Sequence, residues 1–125
     1  MGDLLFEGEV FRIRGAVFEV HNEMGSGFLE AVYQECLEKE LARSAIPYIV
    51  KPALNLVYKG EALVQLYQPD LVCFNKIIVE LKAVTAIAPV HRAQVLNYLK
   101  ATKLKLGLIV NFGTYPKAEI ERIVL

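Results

Sequence analysis

The stretch PDLVCFNKIIVELK, Pro69 to Lys82, decides how the rest of the chain is read. Ile77–Lys82 reads as a strand, and residues two apart in a strand share a face. Glu80 and Lys82 therefore project together, while Ile77, Val79 and Leu81 take the other face. An acid and a base inside an apolar strand are costly to bury unless they are paired or bound to a metal. The plainer alternative is a surface strand face held by a salt bridge. Asp70 opens the partner strand of the same hairpin, and the turn decides where it points. A two-residue turn at Asn75-Lys76 pairs Leu71 with Glu80 and sends Asp70 to the wrong face. A three-residue connection, Phe74 to Lys76, or a bulge brings Asp70 to the face of Glu80.

If that demand is met, the cluster has a chemistry. Two carboxylates offer the hard oxygen ligands that Mg²⁺ prefers. A bound metal lowers the pKa of its water and neutralises a phosphate oxygen. A lysine ammonium beside it orients that water or stabilises charge on phosphorus.

Working outward, Val10, Ile13, Val17 and Val20 recur at spacings of three and four, which predicts an amphipathic helix over 7–23. Met24-Gly25-Ser26-Gly27 interrupts it, and a second helix is expected over 28–42 with Ser26 as N-cap. From Pro47 the period becomes two. Tyr48–Tyr58 reads as a strand with an edge position or bulge at Pro52, and Lys59-Gly60 as a turn. Ala62–Tyr67 and Asp70–Phe74 read as one strand bent at Pro69. After the 77–82 strand, a helix is expected from Pro89 to about Ala101, then an apolar strand over 106–112 of the type buried on both faces, and a last strand over 119–125. Helices, strands, a helix and strands in this order predict a mixed sheet with helices packed on it, in one domain spanning 1–125.

A chain of 125 residues, 54% apolar, can bury a core without disulfides or structural metal. No apolar run is long enough for a membrane span. The start lacks a basic region, and Phe6 stands where acylation at Gly2 would require Ser or Thr, so a cytoplasmic location is expected. Cys36 and Cys73 have no ligand-spaced neighbours and are expected to be buried thiols. Fourteen basic residues balance fourteen acidic ones, which argues against an extended basic groove for nucleic acid. Arg92, Lys100, Lys103 and Lys105 still form a local basic stretch. A small, near-neutral domain with an edge strand is also expected to self-associate as a homodimer.

Three further positions bear on chemistry. Glu30 lies on the stripe of Tyr33, Leu37 and Leu41, which is odd for a packing helix. It reads either as an acid favoured by the helix dipole or as a third carboxylate aimed at the metal. Gln94 and Tyr98 share a helix face, with His91 one turn earlier, and can position a phosphate, a water or a base. An exposed polar face is the alternative. His21 reads as a helix cap or core histidine.

These residues resemble a known family. Gly27-Phe28-Leu29-Glu30-Ala31-Val32-Tyr33 matches the signature of the GxxExxY protein family. Pro69-Asp70 with Glu80-Leu81-Lys82 looks like the PD-(D/E)xK nuclease motif, and Gln94 to Tyr98 resembles the QxxxY motif of its RecB-like branch. The similarity runs from about Glu19 through Gly107–Gly113 to the C-terminus. It implies an α/β, restriction-endonuclease-like αβββαβ core with a mixed central sheet flanked by helices. It also implies that Glu30 is the helix acid, Asp70 and Glu80 are metal ligands, Lys82 is the catalytic lysine, and Gln94 and Tyr98 are the accessory pair. The cofactor would be Mg²⁺ or Mn²⁺ and the substrate DNA or RNA. Three functions remain open: a metal-dependent nuclease, a non-catalytic nucleic-acid- or protein-binding module or oligomeric scaffold on the same fold, and acid–base chemistry on a small molecule.

Overall fold

The computed structural model describes residues 4–125, so Gly2 lies outside the described residues. Two helices, α1 (Glu7–Met24) and α2 (Glu30–Arg43), precede five strands: β1 (Tyr48–Val50), β2 (Leu54–Tyr58), β3 (Glu61–Tyr67), β4 (Leu71–Cys73) and β5 (Ile77–Lys82). Helix α3 (Pro89–Thr102), β6 (Leu106–Asn111) and β7 (Glu119–Val124) complete the order. Five strands form one mixed sheet in the order β1-β4-β5-β6-β7. β5 and β6 run parallel, as a connection through a helix permits, and the other neighbours are antiparallel.

Strand alternation divides the core into two layers. Leu71, Cys73, Ile77, Val79, Leu81, Leu106, Leu108 and Val110 point towards α1 and α2, where Ile13, Val17, Tyr33, Leu37 and Leu41 meet them. Val72, Ile78 and Ile109 point the other way, to Val95 and Leu99 of α3 and to Tyr67. Glu80 and Lys82 share the parity of Ile78 and so belong to the α3 side. No helix among the described residues is long and apolar enough to cross a membrane.

The stretch 48–67 corrects the sequence expectation. Tyr48–Tyr58 is two strands: β1 pairs with β4, whereas β2 pairs with β3 in a separate two-stranded sheet. Ala62–Tyr67 and Asp70–Phe74 likewise belong to different sheets and are not one bent strand. Pro52 and Pro69 have no N–H for a ladder, and Lys51 adopts a positive φ of 45°, so the chain changes sheet at both prolines.

The start of α2 is also different. The helix begins at Glu30, with Leu29 at the N-cap and no side-chain cap, so Ser26 does not serve. Tyr33 organises the turn instead. Its hydroxyl donates to Gly25 O at 2.5 Å and accepts from Phe28 N at 3.2 Å. Its buried ring stacks on Phe112 at 4.5 Å. Gly27 holds φ at 112°, which side chains rarely adopt. Gly27 and Tyr33 thus shape the loop that places Glu30 at the first turn of α2.

Candidate functional site

The β4–β5 hairpin meets the demand on its turn. Cys73 pairs with Ile77, so Phe74, Asn75 and Lys76 form a three-residue connection. Phe74 and Asn75 adopt left-handed φ values of 55° and 58°. Leu71 pairs with Val79, and one step further Asp70 comes opposite Glu80. The contact is direct: Asp70 N donates to Glu80 Oε1 at 3.1 Å, and Leu81 N donates to Asp70 Oδ2 at 2.8 Å. The Asp70 carbonyl accepts from Lys51 N at 3.1 Å and from Gln34 Nε2 at 3.3 Å. Glu80 Oε1 also accepts the Tyr67 hydroxyl at 2.8 Å. Each carboxylate therefore has one oxygen engaged. Asp70 Oδ1 and Glu80 Oε2 accept no hydrogen bond from the described residues, and neither is a buried unpaired atom.

Glu80 titrates above the ordinary glutamate range because burial penalises its charged form and Asp70 repels it. The Tyr67 hydroxyl, the Asp70 N–H and the Lys82 charge oppose that rise. The sign follows: ionised Glu80 costs the metal-free fold stability. That cost is absent below the usual glutamate pKa and complete above the raised one. Burial, then the charge of Glu80, pushes the Tyr67 phenol far above its usual range, so it remains a donor. Burial pushes the Cys73 thiol up to about 12, as expected of an inert core cysteine. Cys36 is free and half-buried.

Lys82 stands beside Glu80 on the same strand face and is half-buried. The ion pairs among the described residues are Lys76–Glu9 and Arg92–Glu121, so Lys82 has no carboxylate in contact. Glu30 is exposed, unlike the buried Tyr33, Leu37 and Leu41 of its stripe. It shares with Asp70, Ala31, Gln34, Lys51 and Leu81 a cavity of about 280 Å³. Asp70 borders that cavity and contacts Glu80, but the Glu80 side chain belongs to the α3 side of the sheet. Among the described residues no three His, Cys, Asp or Glu side chains stand close enough to form a metal cluster.

The Gln94–Tyr98 pair joins the site indirectly. Gln94 Nε2 donates to the Tyr98 hydroxyl at 3.2 Å, and the Tyr98 ring stacks on Tyr67 at 3.5 Å. His91 stands apart, accepting from Ala88 N at 3.0 Å at the helix start. His21 is a core histidine, buried with Nε2 at 2.9 Å from Thr114 O. Arg92 is taken up by Glu121, which removes one cation from the basic stretch.

Sequence reasoning missed Tyr67, Gln34 and the role of Asn111. Asn111 pairs with Lys82 in the parallel ladder and is fully buried. Its Oδ1 accepts from Val84 N and Gly113 N, both at 3.0 Å, and its Nδ2 donates to Val84 O at 2.9 Å. It thereby fastens the chain just beyond Lys82. A polar residue ending an otherwise apolar strand was its visible signal. Tyr67 had none, because its partners come from another sheet and from α3.

The comparisons agree with this architecture. The sequence profile of the PD-(D/E)XK nuclease superfamily matches residues 7–123. Among curated proteins none matches by sequence. The crystal structure of SSO0001 superposes with a TM-score of 0.55 over 75% of this chain at 16% identity, which speaks to the fold. The matched part is 48% of that chain, so the present sequence spans about half its length. The restriction-endonuclease-like fold and the profile lead to one assignment: this chain belongs to the PD-(D/E)XK nuclease superfamily.

Proposed function

We propose that residues 1–125 form one domain that hydrolyses phosphodiester bonds of DNA or RNA with Mg²⁺ or Mn²⁺. The observation that carries the reading is the pairing of Asp70 with Glu80, each with one oxygen open among the described residues, beside a Lys82 that forms no ion pair with them. Hard oxygen donors on β5 and just before β4 fit a divalent cation. Asp70 and Glu80 would hold it, and Glu30, which lines a cavity with Asp70 but not with Glu80, would have to move closer to join them. When bound, the cation supplies an acidified water and charge neutralisation at phosphate. Lys82 orients the attacking water and offsets charge developing on phosphorus. Gln94 and Tyr98 orient groups on the α3 side. The Gly27–Tyr33 turn supports placing the chain in the GxxExxY branch. The test is cleavage of single- and double-stranded DNA and RNA with each metal. Cleavage that vanishes with Lys82 replaced supports the enzyme. The second reading is a non-catalytic nucleic-acid- or protein-binding module or oligomeric scaffold; a balanced net charge argues against tight unaided binding of nucleic acid, and a wild type that cleaves nothing under either metal would favour this reading.

Metal should stabilise the fold by mass action. At a free concentration of ~100 Kd the gain is about 2.7 kcal/mol, or a Tm rise on the order of 10 °C. Asp70→Asn should abolish the rise while keeping the fold, since the amide oxygen still accepts from Leu81 N. Calorimetry with and without Mg²⁺ measures this, and an equal rise in the variant places the cation elsewhere.

A homodimer is the assembly we propose. β3 is the open edge of its two-stranded sheet, and Glu61 to Leu66 are all exposed, with Val64 at 95%. Between Glu61 and Pro69 it has neither charge nor proline, the usual protections of an edge. Antiparallel pairing with β3 of a second copy sets the two Glu61 carboxylates at opposite ends, with no like charges facing. Sedimentation should show a dimer at micromolar concentration that Val64→Lys converts to monomer. A monomeric wild type would remove the proposal.

A further inference from the structure

Tyr67 is buried at the end of β3, outside the main sheet, yet it touches both halves of the site. Its hydroxyl donates to Glu80 Oε1 at 2.8 Å, and the same oxygen accepts from Asp70 N at 3.1 Å. Two donors on one oxygen leave Oε2 as the oxygen of Glu80 open to a ligand. On the other side the Tyr67 ring lies on the Tyr98 ring, centroids 3.5 Å apart and planes at 16°. Tyr98 in turn accepts from Gln94 at 3.2 Å. A continuous chain of contacts thus runs from the exposed Gln94 on α3 to Glu80.

We propose that Tyr67 is a positioning residue that holds Glu80 to one-oxygen ligation and through which Tyr98 acts on the carboxylate. The inference rests on the reading of Asp70 and Glu80 as the cation site. Its consequence is selectivity. Ca²⁺ accommodates six to eight oxygens and often takes both oxygens of a carboxylate, whereas Mg²⁺ demands a tight octahedral arrangement. A Glu80 with one oxygen occupied by two protein donors suits Mg²⁺. Outer hydrogen-bond partners of ligands typically contribute 10–100-fold to metal affinity.

The experiment is calorimetric titration of the full chain with Mg²⁺ and Ca²⁺ separately. Wild type should bind Mg²⁺, and Asp70→Asn should not. Tyr67→Phe keeps the ring and its stack. It should bind Mg²⁺ about 10–100-fold more weakly while losing less for Ca²⁺, so that the Mg²⁺/Ca²⁺ preference narrows. Tyr98→Leu leaves the Tyr67 hydroxyl but removes the stack, and it should weaken Mg²⁺ in the same direction. The double variant should be no weaker than Tyr67→Phe alone, because the two act in series. Wild-type affinities for both ions in Tyr67→Phe, with Asp70→Asn inactive in binding, overturn the role of Tyr67 and leave the site reading intact. Additive losses in the double variant overturn the coupling. Unchanged Mg²⁺ binding in Asp70→Asn overturns the site reading and this inference with it.

Discussion

Lys82→Met should lose nucleolytic activity by a factor on the order of 10² or more, the loss typical when a charge-stabilising group is removed. The fold should survive. Methionine keeps most of the apolar stem of lysine and loses the charge. The structural contact of position 82 is made by its backbone, whose carbonyl accepts from Phe112 N at 2.9 Å, and no side chain is needed for that. The competing account makes Lys82 the partner of half-buried Glu80. Its removal would then leave an uncompensated acid and cost about 3–5 kcal/mol. The geometry disfavours that account, since Lys82 is in neither ion pair of the described residues. Glu80 draws its contacts from Tyr67 and the Asp70 N–H. Melting temperature and cleavage rate measured on one variant separate the accounts. A destabilised variant, together with a wild type that cleaves nothing with either metal, would transfer the protein to the binding-module reading.

Gly113→Ala should be the most damaging small substitution for stability, at about 3–5 kcal/mol. A Cβ at Gly113 would stand 2.3 Å from Val84 O, 2.6 Å from Val84 N and 2.8 Å from Ala83 C. All three are backbone atoms, so no rotamer change relieves the contact. Displacing Val84 also breaks its two hydrogen bonds to the fully buried Asn111 and strands polar groups in the interior. The damage would reach the site, because Val84 lies two residues beyond Lys82. Gly107→Ala is the comparison. There the close neighbour is the Val95 Cγ1 methyl at 2.7 Å, a side-chain atom that can shift, and the expected loss is about 1–3 kcal/mol. Denaturant unfolding of both variants gives the two values, and equal losses would show that the Val84 backbone yields more easily than this geometry allows.

The hairpin of Pro69–Lys82 shows how far a sequence can specify a site. Its parity rule required a three-residue turn or a bulge if Asp70 and Glu80 were to meet, and Cys73 does pair with Ile77 across Phe74–Lys76. The rule worked because alternation and turn length are local properties of a few consecutive residues. Glu30 shows the limit. Its helical stripe was legible, but the stripe continues past the point where the core ends, so Glu30 is exposed at a cavity rim while Tyr33 is buried.

By itself the sequence determined α1, α3, β5, β6 and β7 to within a few residues, and with them the face shared by Glu80 and Lys82. Each of these rests on a period of hydrophobicity that solvent enforces along a single element. Tertiary structure alone decided that 48–67 divides between two sheets, that Tyr67 ends up on Glu80, and that Asn111 binds Val84 across the end of β5. Alternation states which way a side chain points relative to its own strand. Which strand lies alongside, and which distant side chain fills the space above it, depends on packing between segments that are far apart in the chain, and no local period records that.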